Sequence, residues 1–219
     1  MINLSEMVST GHLTKLFDGR PVDDARVHEL LQLIHTAPSS CNLQPGHFVV
    51  AKTPASRERI AKAMVNGYDP NLPKIRSASH VIVFCCRTDV PQDYVEELVR
   101  QHYADGKFTS PKNEKDWRWL IDFARQLHEG ERHDMSSSLK MQVYLALGIA
   151  LLGAAQRDMD VCPLEGFSPQ ILDAELGLTA MGYTSIVVLA IGHRSTDDYA
   201  IGTPKARLSF DRVVTHLDD

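Results

Sequence analysis

Residues 37–51 read APSSCNLQPGHFVVA. Two hydroxyls, Ser39 and Ser40, and two amides, Asn42 and Gln44, each able to donate and to accept, lie on a loop pinned by Pro38 and Pro45. Such a loop can read the edge of a polar heterocycle or a phosphate ester. Further on, CPLEGF (162–167) sets Pro163 and Gly166 around Leu164 and Glu165, between a long apolar segment and a short capped helix. Proline and glycine there predict backbone N–H groups that point outward rather than pair in a sheet. Near the end, TPKARL (203–208) spaces Lys205 and Arg207 two apart. In an extended segment both charges project the same way, a phosphate clamp in outline. Taken singly, each of the three reads as readily as a turn, a loop or a solvated pair of cations.

Other chemistry is excluded by missing spacing. No GxGxxG follows a strand, and neither GxxxxGK[ST] nor GxSxG occurs. HEGERH (128–133) separates its histidines by five, where a zinc-binding helix needs four, and reads as a charged surface stretch. Ten histidines are scattered without clustered carboxylates or cysteines, so no metal site is expected. Cys41, Cys85, Cys86 and Cys162 show no paired CxxC spacing and read as free thiols of a reducing cytosol.

The elements that must position these residues follow from periodicity. Val27, Leu30, Leu31 and Ile34 form the stripe of an amphipathic helix over 22–36, with Asp23 and Asp24 at its positive end. HFVVA (47–51), HVIVFCC (80–86) and SIVVLAIG (185–192) are buried strands. Thr53-Pro54 and Ser168-Pro169 cap helices over 54–65 and 169–176, the second closed by Gly177. The polar segment 93–135 reads as a solvated excursion or as a mobile cover over a site. The helix over 136–158 is apolar around its circumference in its second half, which predicts burial on every side, with Ala146, Ala150 and Ala154 allowing close approach of another helix. Its longest apolar run, 143–155, falls short of the roughly 20 residues that cross a bilayer. The chain of 219 residues shows no linker, repeat or basic leader, and its charge of −5 offers nucleic acid no general attraction. One domain over 1–219, cytoplasmic, without nucleic-acid or membrane partner, is the expectation.

In order along the chain, HLTKLFD, APSSCNLQPGHF, ASHVIVFC, ADGKF, KMQVYLALG, CPLEGF, LDAELGL, GYTSIVVLAIGH and PKARL resemble the FMN-dependent nitroreductases of the oxygen-insensitive NAD(P)H nitroreductase and dihydropteridine reductase type. The resemblance implies an α+β fold with a mainly antiparallel sheet flanked by helices. It also implies a homodimer with FMN at the interface, in which LSFDRVVTHL (208–217) is a strand exchanged between subunits and helix 141–157 is the tightly packed dimer core. It places Lys15, Asn71 and Lys74 at the flavin pyrimidine edge, and Pro163, Leu164, Glu165 and Gly166 behind the isoalloxazine with the Glu165 N–H toward N5. Lys205 and Arg207 fall on the phosphate, and Pro38, Ser39, Ser40, Asn42 and Gln142 reach over from the facing subunit. No side-chain nucleophile is implied. Hydride moves from NAD(P)H through flavin N5 to nitroaromatic, quinone or pteridine-type acceptors by a ping-pong mechanism, with Lys15, Lys74 and Glu165 in support.

The chain departs from the family pattern at several points. Gly11 and Leu13 stand where the family writes arginine and serine, which predicts weaker FMN binding unless His12 or Arg20 substitutes. Gly46 replaces a usual tryptophan, and Phe123 with Ala124 displaces a phenylalanine near the substrate slot. Two alternatives stand beside the reductase: a flavin-binding carrier or sensor with little turnover, and a relative doing other flavin chemistry such as reductive dehalogenation.

Overall fold

The computed structural model describes residues 13–217. In chain order it contains α1 (Asp24–His35), β1 (Gly46–Ala51), α2 (Pro54–Ala61), α3 (Leu72–Ser77), β2 (His80–Arg87), α4 (Gln92–Ala104), α5 (Pro111–Arg125), α6 (Met135–Ala155), β3 (Asp160–Leu164), α7 (Pro169–Leu176), β4 (Tyr183–Gly192) and α8 (Phe210–Val213). Among the described residues the strands form one antiparallel sheet in the order β1-β2-β4-β3.

Two-residue periodicity sorts the sheet into two cores. Ile82, Phe84 and Cys86 of β2, with Val187, Leu189 and Ile191 of β4, face α1, α4, α5 and α6. Val81, Val83 and Cys85, with Val188, Ala190, Cys162 and Leu164, face α2, α3 and α7. A register shift between Phe84 and Cys85 marks a bulge in the β2–β4 ladder. The caps lie where proline and hydroxyl placed them. Thr53 accepts from the Ser56 N–H in a reciprocal capping box, Ser168 accepts from Ile171 N–H, and Gly177 closes α7 in the left-handed region at φ 70°.

Three expectations need correction: the polar reading of 93–135, the loop at 162–164 and the all-round burial of the helix over 136–158. Segment 93–135 is mostly helical: α4 buries Tyr94, Val95, Leu98, Val99 and His102, and α5 buries Trp117 and Ile121. Polarity alone hid this, because each helix buries one narrow stripe of a charged surface. HEGERH lies where α5 runs into a π turn over 126–131, and His128 bonds Asp134 at 2.6 Å. Cys162 to Leu164 are part of β3 rather than a loop, paired with Ala190, Leu189 and Val188 across the ladder. The small residues of α6 are spent inside the chain: Ala146, Ala150, Gly153 and Ala154 are buried, and a Cβ at Gly153 would stand 2.8 Å from Leu33 and 3.0 Å from Leu30.

The helix is therefore not buried on every side. Met141, Tyr144, Leu145 and Leu152 are exposed, and Gly148 faces open space. At 21 residues α6 is long and apolar enough to cross a membrane by length and composition, yet its inner face is packed against α1 and the sheet. Residues 208–217 form no strand with this chain. They carry one helical turn, α8, and leave Leu208, Phe210, Val213 and Leu217 exposed.

Candidate flavin site

Two half-sites emerge, one on each side of α6. The first is built at the outer edge of β3. Thr14 N–H donates to Val161 O on that edge at 3.1 Å, and residues 16–18 then pass beside 193–195 beyond the end of β4, where Asp18 N–H donates to His193 O and Phe17 bridges Arg194. In an antiparallel ladder alternate residues turn their polar groups to the same side. Since Val161 O faces outward, Pro163 does too. Pro163 is tolerated because the N–H it lacks belongs to the outer side.

Lys15 is tethered by its own N–H, which donates to the buried carboxylate of Asp198 at 2.9 Å. Lys74, on α3, donates to Asn71 Oδ1 at 2.7 Å, and Asn71 Nδ2 donates to Gly166 O at 2.8 Å. The relay joins the cation, the amide and the β3–α7 loop. Gly166 is required for it: a Cβ there would lie 2.7 Å from Asn71 Nδ2 and 3.0 Å from Tyr68. Burial pushes the Cys162 thiol up, and the fields of Lys15 and Lys74 pull it partly back, so both cations bear on the same spot of β3. Glu165 accepts from the Tyr144 hydroxyl, and burial followed by that bond raises the phenol to about 12, keeping it a donor.

The second half-site is the 38–44 loop. Cys41, Asn42 and Gln44 hold φ of 54°, 55° and 49°, a left-handed region that costs side-chain-bearing residues about 1–3 kcal/mol each. Surrounding bonds over-determine it. Ser40 N–H donates to Gln142 Oε1 at 2.8 Å, Gln44 N–H to Ser39 Oγ at 2.8 Å, and Trp117 Nε1 to Cys41 O at 2.8 Å. The Tyr94 hydroxyl donates to the carbonyls of Leu43 and Gln44. Asn42 Nδ2 donates to Nε2 of the buried His102 at 2.8 Å, while His102 Nδ1 lacks a partner among the described residues. Burial drives the His102 imidazole below its ordinary pKa, so the ring is neutral and able to accept.

Apart from Tyr144, which lies in the KMQVYLALG stretch, the side chains that hold these groups in place carried no sequence motif. Tyr144, Asp198, His102, Trp117 and Tyr94 act through contacts at long sequence separation. Lys205 lies half-buried and Arg207 exposed on a stretch without regular structure, and Arg207 bonds back to Ala206 O. Arg20 is engaged by Asp18 at 2.6 Å, and Leu13 is exposed. Gly11 and His12 lie outside the described residues. Phe123 is exposed and stacked on Trp119 at 5.6 Å.

The sequence profile described as the Nitroreductase family matches residues 12–193. The chain belongs to the nitroreductase family. An oxygen-insensitive NAD(P)H nitroreductase of Salmonella typhimurium is 38% identical over 93% of this chain and 94% of the relative. The major NAD(P)H-flavin oxidoreductase of Aliivibrio fischeri is 30% identical over 94% of each. Among solved structures, a protein described as an NAD(P)H:FMN oxidoreductase from Staphylococcus epidermidis superposes with TM-score 0.81 at 20% identity, covering 99% of this chain and 97% of that one. One described as a nitroreductase in complex with FMN, from Exiguobacterium sibiricum, gives 0.79 at 19%, covering 99% and 98%. Both likenesses establish the nitroreductase fold, an α+β antiparallel sheet flanked by helices.

Proposed function

We propose that this nitroreductase-family chain is an NAD(P)H-dependent oxidoreductase that binds FMN in a homodimer. The observation that carries the reading is the Lys74–Asn71–Gly166 relay beside Lys15. Two cations and an oriented amide make a donor set suited to a heterocycle that gains negative charge on reduction. Lys15, Asn71 and Lys74 would hold the pyrimidine edge, Pro163, Leu164, Glu165 and Gly166 the back of the ring, and Lys205 and Arg207 the phosphate. Bound FMN supplies a two-electron carrier that takes hydride from NAD(P)H at N5 and yields it to a nitroaromatic, quinone or pteridine-type acceptor.

Geometry supports the dimer. Gln142 and Tyr144 are two residues apart on α6, hence about 200° apart around it; one touches the 38–44 loop, the other Glu165. A single chain thus turns its half-sites to different sides. Pro38, Ser39, Ser40, Asn42 and Gln142 would serve the ring held by the other subunit. The exposed stripe Met141, Tyr144, Leu145, Gly148 and Leu152 is the apolar face that a second α6 would cover.

Purified protein tests this directly. A yellow dimer with one FMN per chain, bleached by NAD(P)H under anaerobic conditions and reoxidised by a quinone, is the expected result. Lys74→Ala should bind FMN at least tenfold more weakly, since a charge-assisted bond is worth about 1.5–3 kcal/mol. A colourless monomer that takes up no added FMN would end the proposal.

A further inference from the structure

HEGERH (128–133) and the serine run at 136–138 are side by side in sequence, and the fold brings one side chain of each together. His128 lies in the π turn that ends α5, and its Nδ1 meets Asp134 Oδ1 at 2.6 Å. Its other ring nitrogen, Nε2, stands 3.4 Å from Ser138 Oγ, at the end of the first turn of α6. The order of atoms matters. A carboxylate at Nδ1 fixes the tautomer that carries its proton there, which leaves the Nε2 lone pair facing a hydroxyl. Carboxylate, imidazole and hydroxyl joined in this way are the parts of an acyl-transfer relay, which is defined by geometry and not by position in the chain.

The surroundings supply what such a relay also needs. The N–H groups of Met135, Ser136 and Ser137 open α6 without a hydrogen-bond partner among the described residues, and no side chain caps them. Side chains tilt toward the N-terminus of their helix, so Ser138 leans over that first turn. An oxyanion forming on a carbonyl carbon bonded to Oγ would meet the positive end of a 21-residue helix. Beside the pair lies a niche of about 20 Å³ walled by Leu43, Ile121, Ala124, Met135 and Leu139. By volume it takes roughly one methyl group, which selects acetyl-sized acyl chains. The relay is open to reactants: the side chains of His128 and Asp134 are 19% and 36% exposed, and Ser138 is half-buried.

We propose that Ser138, His128 and Asp134 hydrolyse small-acyl esters, with Ser138 as nucleophile, His128 as general base and acid, and Asp134 holding the imidazole. Ser138 Oγ gives its proton to His128 Nε2 as it bonds the ester carbonyl carbon. The bond from that carbon to the leaving oxygen breaks, and His128 returns the proton to the leaving oxygen. Water, deprotonated by the same Nε2, then attacks the acyl-serine, which releases the carboxylic acid and restores the hydroxyl. Neither flavin nor nicotinamide takes part, so the assignment stands independently of the reductase reading.

The test uses the FMN-loaded protein with two probes. Release of p-nitrophenolate from p-nitrophenyl acetate measures turnover, and a fluorophosphonate reagent, followed by peptide mass spectrometry, marks activated serines. We expect the label on Ser138 and not on its exposed neighbours Ser136 and Ser137. Ser138→Ala should lower ester hydrolysis at least tenfold, while Ser137→Ala hydrolyses as wild type does. His128→Gln and Asp134→Asn should slow labelling of Ser138 at least tenfold, with circular dichroism and flavin content verifying the fold of each variant. p-Nitrophenyl octanoate should turn over at least tenfold more slowly than the acetate, because its chain exceeds the niche. Hydrolysis that persists undiminished in Ser138→Ala overturns the proposal. So does a wild-type Ser138 that takes no label, or a label shared evenly along 136–138, since exposure alone would then explain the reaction.

Discussion

Replacing Gly166 by alanine isolates the relay that orients Lys74. The new Cβ would stand 2.7 Å from Asn71 Nδ2 and 3.0 Å from Tyr68, whereas carbon contacts settle near 3.5 Å, so the Asn71 amide must retreat by roughly 0.8 Å. That motion breaks its 2.8 Å bond to Gly166 O and carries away the oxygen that holds Lys74 at 2.7 Å. Overpacking costs about 1–3 kcal/mol, and the displaced charge-assisted bond about 1.5–3 kcal/mol. At about 1.4 kcal/mol per decade, FMN should bind ~10–100-fold more weakly. Tm should fall by a few degrees, as expected for about 1–2 kcal/mol in a chain of this size. Fluorescence titration of apo-protein measures the first and scanning calorimetry the second. If the clash with Asn71 is the cause, Asn71→Ala relieves it, and the double variant binds FMN more tightly than the sum of the single losses predicts, by at least ~1 kcal/mol. Wild-type affinity in Gly166→Ala, or strict additivity, refutes the relay.

Three further expectations follow from the geometry. Gly148→Arg places a charge in the middle of the exposed apolar stripe of α6; light scattering should report a monomer and absorbance a loss of flavin, with helicity unchanged. His102→Leu leaves the Asn42 amide without its acceptor, at about 1–3 kcal/mol, and should speed hydrogen exchange over residues 39–44, while His102→Gln restores protection. Because burial depresses the His102 pKa, its contribution is present above the unfolded value of 6.5 and disappears as pH falls through the folded value, so the leucine variant should flatten the acid limb of stability. Burial holds Cys85 and Cys86 at about 12. At pH 8 a thiol reagent should therefore label the half-buried Cys41 first, and all four cysteines only after unfolding. The stability these two thiols contribute should be intact below about pH 9 and decline as pH rises toward 12.

Local chemistry made much of this protein legible in one dimension. The Thr53-Pro54 and Ser168-Pro169 caps, Gly177, the stripe of α1 and the three apolar strands need only neighbours within a turn or a pleat, and each lies within a few residues of its expected place. The ordered motifs likewise identified the family, and the resemblance they carry set Lys15, Asn71 and Lys74 together as expected neighbours, with Gly166 apart in the loop behind the ring. Strand β3 escaped notice because it is an edge strand, where a proline that loses nothing on the outer side looks like a break. Helices α4 and α5 escaped because their polar majority outweighs a buried stripe that only packing reveals. The same limit applies to α6. Composition declares it apolar, but which of its small residues face α1 and which face open space is decided by the arrangement of α1 and the sheet around it. His102, Trp117 and Tyr94 stand 50 or more residues from the loop atoms they hold. Their roles come from the folded chain bringing distant donors and acceptors within 3 Å, a fact of three dimensions that no local pattern encodes.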